Sequence, residues 1–496
     1  MASSSSKQSS KKLRILLIPF FATSHIGPYT DLAFHLVAAR PGAVEATVAV
    51  TPANASVVRS ALARRGPSDG ATTVQVATYP FPAVDGLPPG VENLSAAAAT
   101  DAWRINVASA DERLMRPGHE GLIRDRSPDA VVSDVHFFWN ADVAADLGVP
   151  CVTFHVIGAF SMPALINLLG GSSVTEAGDG AVTLAWLPGP PGIRIPVTEL
   201  PEMLRTPREH HVRFGARVNS AHKRCFGLVV NSFFDLEHGH CDMYVRQGYV
   251  KRAYFVGPLS LPSPPAAAGD HDSPCIDWLD KKAARSVVYL CFGSLTHVSE
   301  AQVHELALGL EASGKPFLWV VRSETWVPPE GWKERVGERG MVVTGWAPQT
   351  TILLHSAVGA FVTQCGWNSV LETIVAGVPV LTWPMVYEQF ITERFLTGVL
   401  AIGERLWPEG AGVRSERPEE HELVPAEAVA RAVARFLEPG GAADAARSRV
   451  KELSAKAHAA MEEGGSSYHD LRRLIDDLIE ERTAGAGTVP MSDTLI

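Results

Sequence analysis

Short runs of Val, Ile and Leu, too apolar for exposed strands, recur along this chain, and longer amphipathic runs separate them. "KLRILLIPF" (12–20), "EATVAVT" (45–51), "DAVVSD" (129–134), "VPCVTFH" (149–155) and "FGLVVNSF" (226–233) read as strands. Between the first two, "YTDLAFHLVAAR" (29–40) reads as a helix. A strand buried on both faces needs helices above and below it, so the pattern predicts α/β layers around a parallel sheet. The alternation stops at "VGPLSLPSPPAAAGDHDSPC" (256–275), which is rich in Pro, Ala and Gly and reads as a linker. It then restarts with "SVVYLCFG" (286–293), a helix at 299–315 with a capping-box start at Ser299 and Gln302, and strands at 316–322, 341–346, 358–363 and 378–383.

The expected organisation is therefore a disordered start (1–11), an amino-terminal half (12–255), the linker (256–275) and a carboxy-terminal half (276–465). A last helix (466–483) is expected to pack back on the amino-terminal half, with a frayed tail after it. A hydrophobic fraction of 46% fits a large globular core, and a net charge of −10 argues against nucleic acid as the main partner. The six cysteines form no CxxC pair, which favours reduced thiols in a cytoplasmic protein. "LRILLIPFFA" has the length of a signal core but carries Pro19 and no convincing cleavage site. No apolar run approaches the roughly 18 residues that a membrane span requires. A monomer is expected.

Two doubly wound halves facing each other leave a cleft beyond the carboxyl ends of their strands, where ligands of such folds bind. "TQCGWNS" (363–369) lies at such an end and opens a helix. The first turn of a helix offers unpaired N–H groups and a positive dipole, so this is a possible phosphate seat. Asn368 and Ser369 are good capping residues, and a plain cap in a βα turn is the simpler reading of these seven residues alone.

The flanks extend the pattern. From Trp346 to Gln389 the landmarks "WAPQ", "ILLHSAVGAF", "CGWNS", "LE", "GVP", "WP" and "EQ" follow in order, and the segment resembles the signature box of plant family 1 UDP-glycosyltransferases. The resemblance implies a GT-B fold, two Rossmann-like domains across a cleft, and an inverting transfer of a hexose from a UDP-sugar. It places Trp346 on the uracil ring with Ala347 and Gln349 nearby, and Glu372 on the ribose hydroxyls. Ser294, Gln364, Asn368 and Ser369 would hold the diphosphate, while Trp367, Glu388 and Gln389 would meet the sugar. Gln389 leans the donor toward UDP-glucose. The family usually has His where this chain has Gln364. A Gln amide donates hydrogen bonds but cannot carry charge, which would weaken donor binding by about 1–2 kcal/mol. The alternative reading that follows is a nucleotide-sugar-binding protein with weak or no transferase activity.

On the other side, His25 sits in "FFATSHIGP" (20–28), expected to be a polar loop, and Asp134 closes the strand "AVVSD". Alone, the one reads as a solvated histidine and the other as a helix-capping aspartate. The resemblance makes them base and orienting partner, with Ser24 close to the donor. No acidic metal motif is evident, and neither a metal nor another cofactor is expected. "EHGHCDMY" (237–244) holds metal-ligand residue types, but His238 and His240, two apart, diverge on a helix. "REHHV" (208–212) reads as a loop. "HFFWN" (136–140) reads either as core or as the wall of a pocket for a flat, lipophilic phenolic or terpenoid acceptor.

Overall fold

The computed structural model describes residues 11–65, 74–170, 180–184, 192–261, 273–322, 326–408 and 420–486. Most of the expected linker and disordered start, and the end of the tail, lie outside these residues. The amino-terminal half is built on β1 (Leu13–Ile18), β2 (Val44–Val50), β3 (Gln75–Thr78), β4 (Ala130–Asp134) and β5 (Cys151–His155). A hairpin of β6 (Ala181–Leu184) and β7 (Ile193–Pro196) precedes β8 (Gly227–Val230) and β9 (Ala253–Phe255). The sheet runs β3-β2-β1-β4-β5-β8-β9. The carboxy-terminal half holds β10 (Val287–Cys291), β11 (Phe317–Val321), β12 (Gly340–Thr344), β13 (Val358–Thr363), β14 (Val380–Thr382) and β15 (Gly403–Arg405). Its order is β12-β11-β10-β13-β14-β15. Every pairing in both sheets is parallel.

Each order reverses once, between β1 and β4 and again between β10 and β13. Chains leaving adjacent strands at such a point turn to opposite faces and leave a crevice between them. Ile18 pairs with Ser133, so the chain after β1 emerges beside Asp134. Cys291 pairs with Thr363, so Gly293 and Ser294 emerge beside Gln364 and Gly366. The two crevices face each other.

The helix after β1 spans Thr23–Ala39, so His25 lies in its first turn rather than in a loop. The sequence pattern places the helix start at Tyr29, just after Pro28. Instead the proline is inside it, where its missing N–H leaves the carbonyl of Ser24 without the usual helical donor. Asn368 Nδ2, from the other half, donates to that carbonyl at 2.7 Å. "REHHV" likewise is not a loop: a helix spans Glu209–Arg224. Ser299 caps the Glu300–Ala312 helix as expected, but the Gln302 amide clamps the backbone of Val424 instead of closing the box.

The last helix, Ser466–Ala486, lies on the amino-terminal half. Leu471, Leu474, Ile475 and Leu478 are buried there, in one core with Ile15, Leu36 and Tyr254. Tyr254 Oη donates to Asp477 at 2.6 Å, and the N–H of Phe255 to Asp470 at 2.7 Å.

Candidate active site

At the first crevice, Asp134 is 1% exposed and accepts four hydrogen bonds. Oδ2 accepts from His25 Nδ1 at 2.8 Å and from the N–H of Phe20 at 3.2 Å. Oδ1 accepts from Nδ1 and the backbone N–H of His136, at 2.7 and 3.2 Å. Burial alone would raise the Asp134 pKa, but the two imidazoles outweigh it and hold the carboxyl well below its ordinary range. Asp134 is thus a buried anion serving two histidines. His25, Asp134 and His136 are also, among the described residues, the one group whose metal-ligating atoms gather within 4.8 Å. Hydrogen bonding from both rings to the carboxylate accounts for that proximity.

"HFFWN" divides between its two readings. Phe137 and Trp139 are fully buried in core, and Trp139 Nε1 donates to His119. His136 turns toward the cleft and stacks on Phe20 at 4.1 Å.

At the second crevice, Gly366 rather than Asn368 or Ser369 holds the N-cap position of the Trp367–Ala376 helix, and among the described residues no side chain accepts from its first N–H groups. Cys365, with a left-handed φ of 69°, turns the chain sharply out of β13. Gly293 also has a positive φ, and a Cβ there would collide with the Gln364 amide nitrogen. The amide therefore packs over the Ser294 turn. Ser294 Oγ accepts from Ser95 Oγ at 3.3 Å. Ser24 Oγ, Thr296 Oγ1 and Asn368 Oδ1 are buried with no hydrogen-bond partner among the described residues, as groups awaiting a polar ligand would be.

Trp346 presents its indole to solvent at 66% exposure, with the Arg64 guanidinium 5.8 Å from the ring centre. Ala347 is buried beside it. Gln349 accepts from Tyr289 Oη and donates to Glu372 at 2.7 Å and Ser369 at 2.9 Å, fixing the Glu372 carboxyl. Burial pushes Glu372 up to about 7, against the Gln349 bond. Burial does the same to Glu388, against its own backbone N–H and the neighbouring His136 ring. Gln389 Oε1 accepts from the N–H groups of Met385 and Val386. Trp367 is buried at the seam: its N–H donates to the carbonyl of Asn231 at 2.7 Å, and its ring edge fills the space a Cβ on Gly158 would need.

The sequence reading passed over Ser95 and Arg322 and took His136 only as a member of the "HFFWN" run. His136 lies two positions beyond Asp134. Ser95, in the loop before the Ala99–Ala110 helix, accepts at Oγ from the N–H of Thr23. Arg322 leaves β11 half-buried, donates to the Ser95 carbonyl at 2.6 Å and faces Thr296. No carboxylate among the described residues forms an ion pair with it. Its place at a strand's carboxyl end was the available signal. In "EHGHCDMY", Glu237 instead binds the N–H groups of Ala159 and Phe160, and His240 packs edge-on to Phe160.

Two doubly wound parallel sheets facing each other across a cleft are the architecture of the GT-B fold, and the chain's relatives give the class: a UDP-glycosyltransferase. Residues 265–403 match the family model "UDP-glucoronosyl and UDP-glucosyl transferase". UDP-glycosyltransferase 73E1 of Stevia rebaudiana is 36% identical, over 94% of this chain and 97% of its own length. Scopoletin glucosyltransferase of Nicotiana tabacum is 35% identical, over 96% and 99%. The solved structure of UGT73P12 from Glycyrrhiza uralensis, complexed with glycyrrhetinic acid 3-O-monoglucuronide, aligns at a TM-score of 0.85 and 28% identity, over 96% and 98%. The chain belongs to the plant family 1 UDP-glycosyltransferases and is a UDP-sugar-dependent hexosyltransferase. No helix of its described residues is long and apolar enough to cross a membrane.

Proposed function

We propose that this enzyme transfers glucose from UDP-glucose, with inversion, to a hydroxyl of a small lipophilic acceptor of the phenolic or terpenoid class. Residues 12–255 form the acceptor half and 276–465 the donor half. His25 Nε2 takes the proton of the acceptor hydroxyl, and Asp134 holds the ring and stabilises the imidazolium. The freed oxygen attacks the anomeric carbon as the bond to the diphosphate breaks, and UDP leaves. The observation that carries this reading is the hydrogen bond from Asn368 to the Ser24 carbonyl, which ties the helix start to the turn bearing His25.

On the donor side, Trp346 and Ala347 take the uracil, and Glu372, set by Gln349, takes the ribose. The helix start with Asn368 and Ser369, together with Ser24, Ser294 and Gln364, takes the diphosphate. Trp367, Glu388 and Gln389 border the sugar. We infer that Arg322 supplies the charge absent at Gln364: a half-buried guanidinium with no carboxylate beside it favours an anionic ligand. The relative named for scopoletin supports a small aromatic acceptor. Six free cysteines fit a cytoplasmic monomer.

Purified protein incubated with UDP-glucose and a panel of phenols tests the reading. The expected product is a β-glucoside, formed in step with UDP release. Release of UDP without a glycoside, or binding of UDP-glucose without release, overturns it.

A further inference from the structure

Asp134 spends each of its oxygens on a different ring: Oδ2 on Nδ1 of His25 at 2.8 Å, and Oδ1 on Nδ1 of His136 at 2.7 Å. A neutral imidazole carries one ring hydrogen. The carboxylate fixes that hydrogen on Nδ1 in both rings, so both Nε2 atoms offer a lone pair. His25 is 13% and His136 34% exposed, so both rings reach the cleft from a buried anchor. Their centres are 5.4 Å apart. His136 is further fixed by its stack on Phe20, at an interplanar angle of 22°. A simple cap on the turn after β4 explains why the His136 N–H donates to Asp134, but not why the ring does so as well.

We propose that His136 is a specificity-determining residue that accepts a hydrogen bond from a second acceptor hydroxyl, adjacent to the one His25 deprotonates, so that the site favours vicinal diols of the catechol class. The inference rests on His25 as the base. The two oxygens of a catechol lie side by side, and the two rings are held by one carboxylate with their centres 5.4 Å apart. The first hydroxyl gives its proton to His25 Nε2 and forms the new bond to the anomeric carbon as UDP departs. The second keeps its proton and donates it to His136 Nε2. That contact selects which oxygen meets the base, and so sets regiochemistry. A monophenol leaves His136 Nε2 without this partner, and a site built to bond a hydroxyl discriminates against the analogue that lacks it.

The test compares 4-methylcatechol with 4-methylphenol as acceptors, with UDP-glucose as donor, in wild type, His136→Phe and His136→Gln. Phe keeps the stack on Phe20, while Gln restores an acceptor atom. Expected is a catechol-to-phenol ratio of kcat/KM well above one in the wild type, falling about tenfold in His136→Phe, mainly through KM. His136→Gln recovers part of the ratio, and the single regioisomer of the wild type becomes a mixture in His136→Phe. An equal loss on both acceptors in both variants means that His136 only supports the fold, and overturns the proposal. So does an unchanged ratio, or a catechol preference abolished by EDTA, which would assign the diol to a bound cation. Transfer that survives His25→Ala would sink the base assignment instead, whatever His136 does.

Discussion

The two crevices share an architecture and, on the proposed mechanism, divide the chemistry. Both lie where a parallel sheet reverses its order, and both gather the turns after two neighbouring strands. The amino-terminal one is built on a buried charge: Asp134, sealed from water, organises two imidazoles. The carboxy-terminal one is built mostly from neutral groups, with an uncapped helix start, hydroxyls, amides and an exposed indole. The proposed mechanism gives the difference a reason. A proton acceptor must change charge during the reaction and needs a fixed counter-charge close by. A pyrophosphate brings its own charge and needs oriented dipoles, which lose nothing to reorganisation.

If that division holds, the largest effects come from the charged crevice and fall on the chemical step. His25→Ala is expected to lower kcat about a thousandfold or more and leave the UDP dissociation constant within about threefold. Asp134→Asn should approach the same loss, because an amide donates to Nδ1 and favours the wrong tautomer. Single-turnover rates with titration of UDP by calorimetry read both. A large loss of UDP affinity in His25→Ala would break the division, since the base would then belong to the donor site.

The next effect concerns Arg322, the cation beside the diphosphate turns of the donor crevice. Removing a charge-assisted contact costs about 1.5–3 kcal/mol, so Arg322→Gln should weaken UDP about 10- to 100-fold. Uridine, which lacks the diphosphate, should bind within about twofold of wild type. Equal losses for both ligands would reduce Arg322 to its contact with Ser95. Gln364→His restores a group that can charge, and should tighten UDP by about tenfold at a pH low enough to protonate the new imidazole. A dissociation constant unchanged across pH 5–8 in this variant would show that Arg322 already saturates the phosphate.

How far these crevices could be read in advance depended on whether the chemistry was local. Strand runs such as "SVVYLCFG" and "VGAFVT" are legible because burial on both faces leaves no polar alternation. Most of the proposed donor side could be named in advance because its residues crowd into 44 consecutive positions, Trp346–Gln389. The helical setting of His25 could not be: the sequence pattern starts the helix after Pro28, and only a donor from the other half, Asn368, resolves the orphaned carbonyl. Ser95 and Arg322 lie 227 positions apart and have meaning only together. His136 was hidden by its neighbours, as an aromatic run masks a polar member that faces the other way.

The smallest effect separates the donor crevice's own carboxyls. Burial raises Glu372 to about 7, so it is largely protonated at pH 6 and largely ionised at pH 8. Only the ionised form accepts from both ribose hydroxyls. Affinity for uridine should therefore rise as pH increases through 7, roughly several-fold between pH 6 and 8. Uridine serves better than UDP here, because it carries no phosphate that titrates in the same window. Glu372→Gln should flatten the profile. Glu388→Gln should not, although Glu388 is raised to about 7 as well, because the proposed mechanism puts it beside the sugar rather than the ribose. The raised carboxyls also tilt stability the other way. A native Glu that holds its proton more tightly than the unfolded chain contributes stability at low pH. That contribution is lost as pH rises from about 4.5 toward 7. Thermal melting across that window should fall less steeply in Glu372→Gln than in wild type, while bound uridine reverses part of the difference by favouring the ionised carboxylate. A melting profile with the same pH slope in both proteins would remove Glu372 as the titrating group and leave the ribose without its charged partner.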